Sequence, residues 1–289
     1  MTAITADTRL FCVLGNPVSH SKSPIVHNQA FADLHMDAVY LAFAPADIRK
    51  AVDAVRQFNI QGVSVTLPFK QRVMDYLDWI DDQARIIGAV NTIVNREGQL
   101  CGYNTDSQAA LGPLTPFGIA GKTVLVIGAG GAARAVAFGI DRQNGRLMIT
   151  NRSEQKGRDL AQTYGSLFVP MDEIRHLRPD IIINTTSMGM DPDPDLLPCP
   201  AQCLTAGSLV MDVVYTPLET RLICLAREKG CRVVDGLAMF VAQAAAQFEL
   251  WTGTRPDTAK MRAAVLSHPP SPGFSADRQN QTMKRQPVL

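Results

Sequence analysis

The residues whose types and spacing could do chemistry stand out first in VLVIGAGGAARA, Val124 to Ala135, and in Asn151, Arg152 and Ser153, some twenty residues after its glycines. Without a Cβ, Gly128 permits a tight turn and Gly130 permits a pyrophosphate to lie against the backbone. Ala129, Gly131 and Ala132 complete a turn that opens a helix, whose unpaired N–H groups and dipole favour an anion. An NAD-binding chain is expected to follow its second strand with Asp or Glu for the ribose 2′-hydroxyl. This chain places Asn151, Arg152 and Ser153 there, with Lys156 one turn further. Arg152 can form paired, charge-assisted hydrogen bonds to a 2′-phosphate, which selects NADP. The bland alternative is a glycine-rich turn that binds another nucleotide or none.

These residues need a particular scaffold. Apolar runs of four to seven residues alternate with helical-period segments along the chain, the mark of a parallel α/β architecture. A first block reads as strand FCVLG, a helix over 24–34, strand AVYLAFA, a helix over 47–58, strand GVSVTL, a helix opening at Pro68, and strand AVNTIV. A second reads TVLVIG, a helix from Gly131, RLMIT, a helix from Ser153, SLFVP, DIIINTT, SLVMDVV, a helix after Pro217 and RVVDG. The expectation is two α/β domains: residues 1–106 with 242–266 as a substrate-binding and catalytic domain, and 107–241 as a Rossmann-type doubly wound domain. The alanine-rich segment after Gly236 has apolar residues on most faces and should pack back onto the first block. Residues 267–289 are rich in Pro, Ser, Gln and charge, and are expected to be disordered.

Composition narrows the partners. The chain has 289 residues, 28 basic against 27 acidic, and a net charge of +1. That balance offers no electrostatic footprint for nucleic acid or an anionic membrane, so the partner is expected to be a small molecule. No segment approaches ~20 uninterrupted apolar residues and the N-terminus has no signal-like pattern, so a cytoplasmic protein is expected. The six cysteines form no CxxC pair and the five histidines no HxxxH spacing. Reduced, buried thiols and no metal are the expectation. A monomer or homodimer is expected.

Further motifs lie in the first block: GNPVSHSKSPIVHN (15–28), GVSVTLPFK (62–70), AVNTIV (89–94) and GYNTD (102–106). Together with the glycine turn, NTTSMGM (184–190), DVVYTP (212–217) and GLAMFVAQAAAQFELWTG (236–253), they resemble the shikimate dehydrogenase family from Phe11 to about Arg262. The resemblance implies reversible reduction of 3-dehydroshikimate to shikimate with NADPH. It assigns Lys70 and Asp106 to the catalytic positions, which suits the physics: as hydride reaches a ketone carbon, charge grows on oxygen, and a positioned ammonium stabilises it and supplies a proton. Lys70 alone would otherwise be a solvated lysine, and Asp106 a helix N-cap.

By the same resemblance Ser21 and Ser23 hold the substrate carboxylate, with Tyr215 nearby, while Thr66, Asn91 and Gln243 bind ring hydroxyls. Capping would explain Ser23 but not Ser21; Thr66 and Asn91 also fit as strand-end residues and Gln243 as an ordinary helix residue. Met188, Val213 and Gly236 fall beside the nicotinamide, although Met188 and Val213 also read as core. The chain departs from the family at Ser64, where asparagine is usual, and in SQAALG after Asp106. The shorter Ser64 side chain is expected to loosen a hydrogen bond near the substrate. A quinate or aminoshikimate dehydrogenase is the alternative on the same scaffold. A non-catalytic dinucleotide-binding regulator would have lost Lys70 or Asp106, and both are present.

Overall fold

The computed structural model describes residues 4–268. It contains two six-stranded sheets, each flanked by helices.

The first sheet is built from β1 (Arg9–Leu14), β2 (Ala38–Phe43), β3 (Gly62–Val65), β4 (Trp79–Ile80), β5 (Thr92–Arg96) and β6 (Gln99–Tyr103), in the order β2-β1-β3-β5-β6-β4. Strands β1, β2 and β3 pair in parallel, but β5 runs antiparallel to both β3 and β6. The sheet is therefore mixed, where an all-parallel one was expected. The cause is a hairpin: Glu97 and Gly98 carry positive φ of 54° and 93° in a two-residue turn between β5 and β6, a geometry that matches the twist of an antiparallel pair.

Two helices of this lobe form as expected, α1 (Ser23–Asp33) and α2 (Ile48–Gln57), whereas α3 (Asp82–Ile87) was not read from the sequence. The α-helix expected from Pro68 is absent, replaced by turns and a 3-10 segment over Arg72–Tyr76. The Lys70 carbonyl accepts from the Val90 N–H at 2.8 Å, while the Met74 N–H turns to the Gln71 carbonyl at 3.2 Å, the tighter i to i+3 pattern.

On the outer edge of the sheet, Asn28 of α1 brackets the Tyr40 backbone. Its Nδ2 donates to the Tyr40 carbonyl at 2.9 Å and its Oδ1 accepts from the Tyr40 N–H at 2.8 Å. Asp37 and Phe43 turn their carbonyls inward to Arg9 and Gly15, so by alternation Tyr40 faces outward.

The second sheet comprises β7 (Thr123–Ile127), β8 (Arg146–Thr150), β9 (Leu167–Phe168), β10 (Ile181–Asn184), β11 (Leu209–Asp212) and β12 (Arg232–Val234). All its pairings are parallel, in the order β12-β11-β10-β7-β8-β9. This is the doubly wound order, whose crossover reverses between β7 and β10 and opens a crevice at their C-terminal ends. Strand β10, Ile-Ile-Ile-Asn, is wholly buried because helices cover both faces. The helices against the sheet include α5 (Gly131–Arg142), α6 (Glu154–Thr163) and α7 (Arg221–Glu228), and α4 (Asp106–Leu111) packs on α5.

The alanine-rich segment forms α8 (Gly236–Thr252), followed by α9 (Thr258–Leu266). Leu237, Phe240, Ala244 and Phe248 join Phe11, Val13 and Tyr40 in the core of the first sheet, while Met239 packs into the core of the second. Helix α8 is unbroken across residue 242, where a boundary was read, and its start is set by Asp235, whose side chain accepts from the Ala238 N–H at 2.9 Å. Ser267 closes α9, and the Lys22 ammonium donates to the His268 carbonyl at 2.9 Å. The rest of the expected tail, 269–289, lies outside the described residues.

Candidate active site

A turn in the first sheet's lobe and the start of α4 bring two charges together. Lys70 Nζ donates to Asp106 Oδ2 at 2.6 Å, with the carboxylate side chain only 4 % exposed and the lysine 15 %. The second oxygen, Oδ1, accepts from Asn91 Nδ2 at 2.8 Å. The Asn91 amide is itself fixed: its Oδ1 accepts from the Thr105 N–H at 2.9 Å and from the Thr92 hydroxyl at 2.7 Å. Asp106 is thus the first residue of α4, but its carboxylate does not cap the helix; Lys70 and Asn91 take both oxygens. Asn91 immediately precedes β5, and Asn104 Oδ1 accepts from the Asp106 N–H at 3.0 Å, which locks the loop before α4.

The lysine stem faces the other lobe. A Cβ built on Gly131 would stand 2.9 Å from Lys70 Cδ and 3.1 Å from its Cβ. The ion pair of the first lobe therefore rests against the first turn of α5, the helix that opens after the glycine turn. Gly128 holds φ of +122°, and a Cβ there would meet Thr185 Oγ1 at 2.4 Å, so both backbone conformation and space demand glycine. Gly130 has no neighbour within 4 Å of where its Cβ would lie, and as the N-cap of α5 it offers no side-chain bond to the helix N–H groups. A pocket of about 250 Å³ lies over this turn, lined by Ala129, Gly130, Asn151, Arg152, Ser153, Lys156 and, from the other lobe, Gln71. Open space over a glycine, free amides and two cations are the donor set a phosphorylated dinucleotide requires. The residues present fit NADP. Gln71 was not read from the sequence; it reaches the pocket because the turn after Lys70 crosses the cleft.

The other expected residues are distributed as follows. Ser21 Oγ accepts from the Ser23 N–H at 3.3 Å and donates to Ser23 Oγ at 3.1 Å. Ser23 is the first residue of α1 and makes no capping bond, and Lys22, at the cap position, makes none either, so capping does not account for Ser23. Tyr215 is half-buried and stacks on Phe240 with ring centroids 4.5 Å apart; burial pushes its phenol up to about 12. Gln243 lies one turn beyond Phe240, its Nε2 donating to the Phe240 carbonyl at 3.0 Å and its own backbone carbonyl accepting from Thr105 Oγ1 at 3.3 Å. Thr66 lies beside Gly15, where a Cβ would meet its Cγ2 at 2.3 Å. Among the described residues no hydrogen bond joins the Thr66 hydroxyl to the Lys70 cluster.

Met188 and Val213 both flank the crevice of the second sheet, just past β10 and β11. Gly236 belongs to the same corner: a Cβ would stand 2.3 Å from the Val214 carbonyl oxygen and 2.7 Å from that of Val213. What fixes these loops is a pair of buried polar groups that sequence reasoning did not single out. Asn184 Nδ2 donates to Asp212 Oδ1 at 2.9 Å and to the Met188 carbonyl at 3.2 Å. Asp212 Oδ1 also accepts from the Val214 N–H at 3.0 Å, and Oδ2 from the Thr220 hydroxyl at 2.7 Å.

Burial pushes the Asp212 carboxyl up to about 6, against the opposing pull of those three donors. Between its ordinary 3.8 and about 6 the folded chain holds a proton that the unfolded chain has lost, so stability falls as pH rises through that window and levels off above it. The loss is on the order of 3 kcal/mol at most. Asp212→Asn is expected to flatten the slope, because asparagine keeps the acceptor toward Val214 and cannot ionise. Urea midpoints at pH 4, 5 and 6.5 measure this; an unchanged slope in the variant would exclude Asp212 as its source.

Comparison with known proteins gives a consistent neighbourhood. Residues 13–93 match the family described as the Shikimate dehydrogenase substrate binding domain, 114–190 that described as Shikimate / quinate 5-dehydrogenase, and 236–266 the Shikimate 5'-dehydrogenase C-terminal domain. A protein from Shouchella clausii (strain KSM-K16), named shikimate dehydrogenase (NADP(+)), is 39 % identical over 272 residues, covering 90 % of this chain and 99 % of its own. The crystal structure of shikimate 5-dehydrogenase from Thermus thermophilus in complex with NADP(H) and shikimate superposes with a TM-score of 0.83 at 38 % identity, covering 90 % of this chain and 99 % of that one. A quinate dehydrogenase from Corynebacterium glutamicum in complex with NAD is more distant in sequence, 30 % identical, with a TM-score of 0.82 over 90 % of this chain and 99 % of that one.

Proposed function

The chain belongs to the shikimate dehydrogenase family, and from that premise we propose that it catalyses the NADPH-dependent, reversible reduction of 3-dehydroshikimate to shikimate, a step of aromatic amino acid biosynthesis. The observation that carries this reading is the Lys70–Asp106 pair at 2.6 Å, with the lysine stem against Gly131 at the start of the cofactor helix. A proton donor and a dinucleotide turn meet at one cleft.

Bound NADPH supplies the hydride. Lys70 then does two things for the ketone: its ammonium attracts the charge growing on oxygen, and it delivers the proton that completes the alcohol. Asp106 holds Lys70 in place and offers an acceptor to a substrate hydroxyl. Asn91, Thr66 and Gln243 supply neutral donors and acceptors to the ring, and Ser21, Ser23 and Tyr215 receive the carboxylate. Gly128, Ala129, Gly130, Gly131 and Ala132 cradle the pyrophosphate; Asn151, Arg152, Ser153 and Lys156 take the adenosine 2′-phosphate; Met188, Val213 and Gly236 flank the nicotinamide. Residues 4–106 with α8 and α9 form the substrate lobe, and β7 to β12 with their helices the cofactor lobe.

Arg152 and Lys156 in the pocket favour NADP over NAD. A cytoplasmic site of action is supported by six free cysteines, and among the described residues no helix is long and apolar enough to cross a membrane. Values of kcat/KM for shikimate and quinate, each with NADP and NAD, test the proposal. Shikimate with NADP is expected to lead; quinate with NAD in front would transfer the chain to the alternative activity.

A further inference from the structure

Asp106 is the end of a longer line of hydrogen bonds that begins at the edge strand β2, beneath α8. The Tyr40 hydroxyl donates to Ser64 Oγ at 2.6 Å, Ser64 donates to Gln247 Oε1 at 2.7 Å, and Gln247 Nε2 donates to Thr92 Oγ1 at 3.0 Å. Thr92 donates to Asn91 Oδ1 at 2.7 Å, and Asn91 Nδ2 to Asp106 Oδ1 at 2.8 Å. The direction is forced. Gln247 Nε2 also donates to the Asn91 backbone carbonyl at 2.9 Å, and a carbonyl only accepts, so the amide oxygen must face Ser64 and the Ser64 proton must face Gln247. Ser64 Oγ, its own proton committed, can then only accept from the Tyr40 hydroxyl. Along the line each member donates to the next toward the Asp106 carboxylate, while Gln247 and Asn91 also donate to the Asn91 carbonyl and to Thr105 Oγ1, respectively.

All the members are buried: Tyr40 0 %, Ser64 5 %, Gln247 1 %, Thr92 0 %, Asn91 2 % and Asp106 3 % exposed. In so dry a setting aligned hydrogen bonds polarise one another, and the group at the negative end gains the most. Two of the links are carboxamides, which cannot pass a proton along the line, so the chain orients and polarises without conducting protons. Its central member is Gln247 of α8, which among the described residues alone bonds to Ser64 of β3, to Thr92 of β5 and to the Asn91 carbonyl.

We propose that Gln247 is a positioning residue for the reaction: through Thr92 and Asn91 it fixes the orientation of Asp106, and through Asp106 the Lys70 ammonium. The inference rests on the function proposed above. It also gives Ser64 a purpose, since a hydroxyl, short and able to donate and accept at once, is what the link between Tyr40 and Gln247 requires.

Gln247→Met keeps the length and packing of the side chain and removes its hydrogen bonds. Its kcat with shikimate is expected to fall about tenfold, the scale of one lost orienting bond, while KM for NADP stays within about twofold, because nothing in the cofactor pocket touches the chain. Thr92→Val cuts the line one link nearer Asp106 and is expected to give the same split. The double variant is expected to be no slower than the slower single one, since both cut one chain. Circular dichroism and a cooperative melt verify folding of each protein, and Thr92→Val carries the test if Gln247→Met does not fold. A folded variant with wild-type kcat, additive losses in the double variant, or a KM for NADP that rises with the loss of kcat would each overturn the proposal. Wild-type protein inactive on shikimate would instead overturn the proposed function.

Discussion

Lys70→Met lowers kcat for ketone reduction by about 10³-fold in the expected result, with the protein folded and NADP still bound. Methionine preserves a flexible stem against Gly131 and deletes the ammonium, so the variant loses the electrostatic partner of the developing oxyanion and the proton source together. General acid catalysis contributes about 10² to 10⁴ in rate, and the loss of a preorganised charge is of similar size. The same substitution leaves Asp106 with Asn91 as a partner and no cation, an uncompensated charge that is nearly buried, so a moderate loss of stability is also expected. Single-turnover kinetics under saturating NADPH separate the two effects. Turnover within about tenfold of wild type in a folded Lys70→Met protein would remove the lysine from the chemistry.

The second large effect falls on the cofactor. Arg152→Ala is expected to raise KM for NADPH about 30-fold and leave KM for NADH unchanged, since the guanidinium's paired bonds have a partner only when the 2′-phosphate is present. Lys156→Ala acts in the same direction with a smaller change, because an ammonium is a point charge on a longer, more mobile stem. Both side chains are exposed at the rim of the pocket, so the discrimination should weaken as salt rises. Equal losses for NADH and NADPH would show that Arg152 shapes the turn rather than reading the phosphate.

What the sequence revealed of this molecule follows the range of its interactions. Thr123 to Arg152 was legible because a strand, a steric turn and a helix lie in one continuous stretch, and Gly128, Gly130 and Gly131 each have a local reason to be glycine. RLMIT coincides with β8 for the same reason. The first sheet was misread at two points. The turn Arg96-Glu97-Gly98-Gln99 between alternating apolar runs carried a hairpin signal, which an all-parallel reading passes over. Pro68 looked like a helix start, yet the segment is tied across the lobe to Val90, about twenty positions on, whose N–H donates to the Lys70 carbonyl.

The site shows the same division. Lys70, Asp106 and Asn91 came from the family resemblance, and the structure brings them into one hydrogen-bonded cluster. Gln247, by contrast, looks like any residue of an alanine-rich helix; its partners Ser64 and Thr92 lie 183 and 155 positions away. Asp212 is hidden likewise, in a strand end that reads as plain core. Ser64 seemed a shortening that would loosen its surroundings, and it is bonded on both sides.

Asn28 carries no chemistry, but its two bonds to the Tyr40 backbone occupy the centre of the free edge of β2, a strand that also exposes Leu41 and Phe43. A sheet ending in such a strand invites the edge of another molecule to continue it. With Tyr40 closed off, only Ala38 and Ala42 remain to pair outward, too far apart to seed a ladder. One carboxamide on a neighbouring helix thereby takes the backbone groups that an incoming strand would need at the middle of this edge.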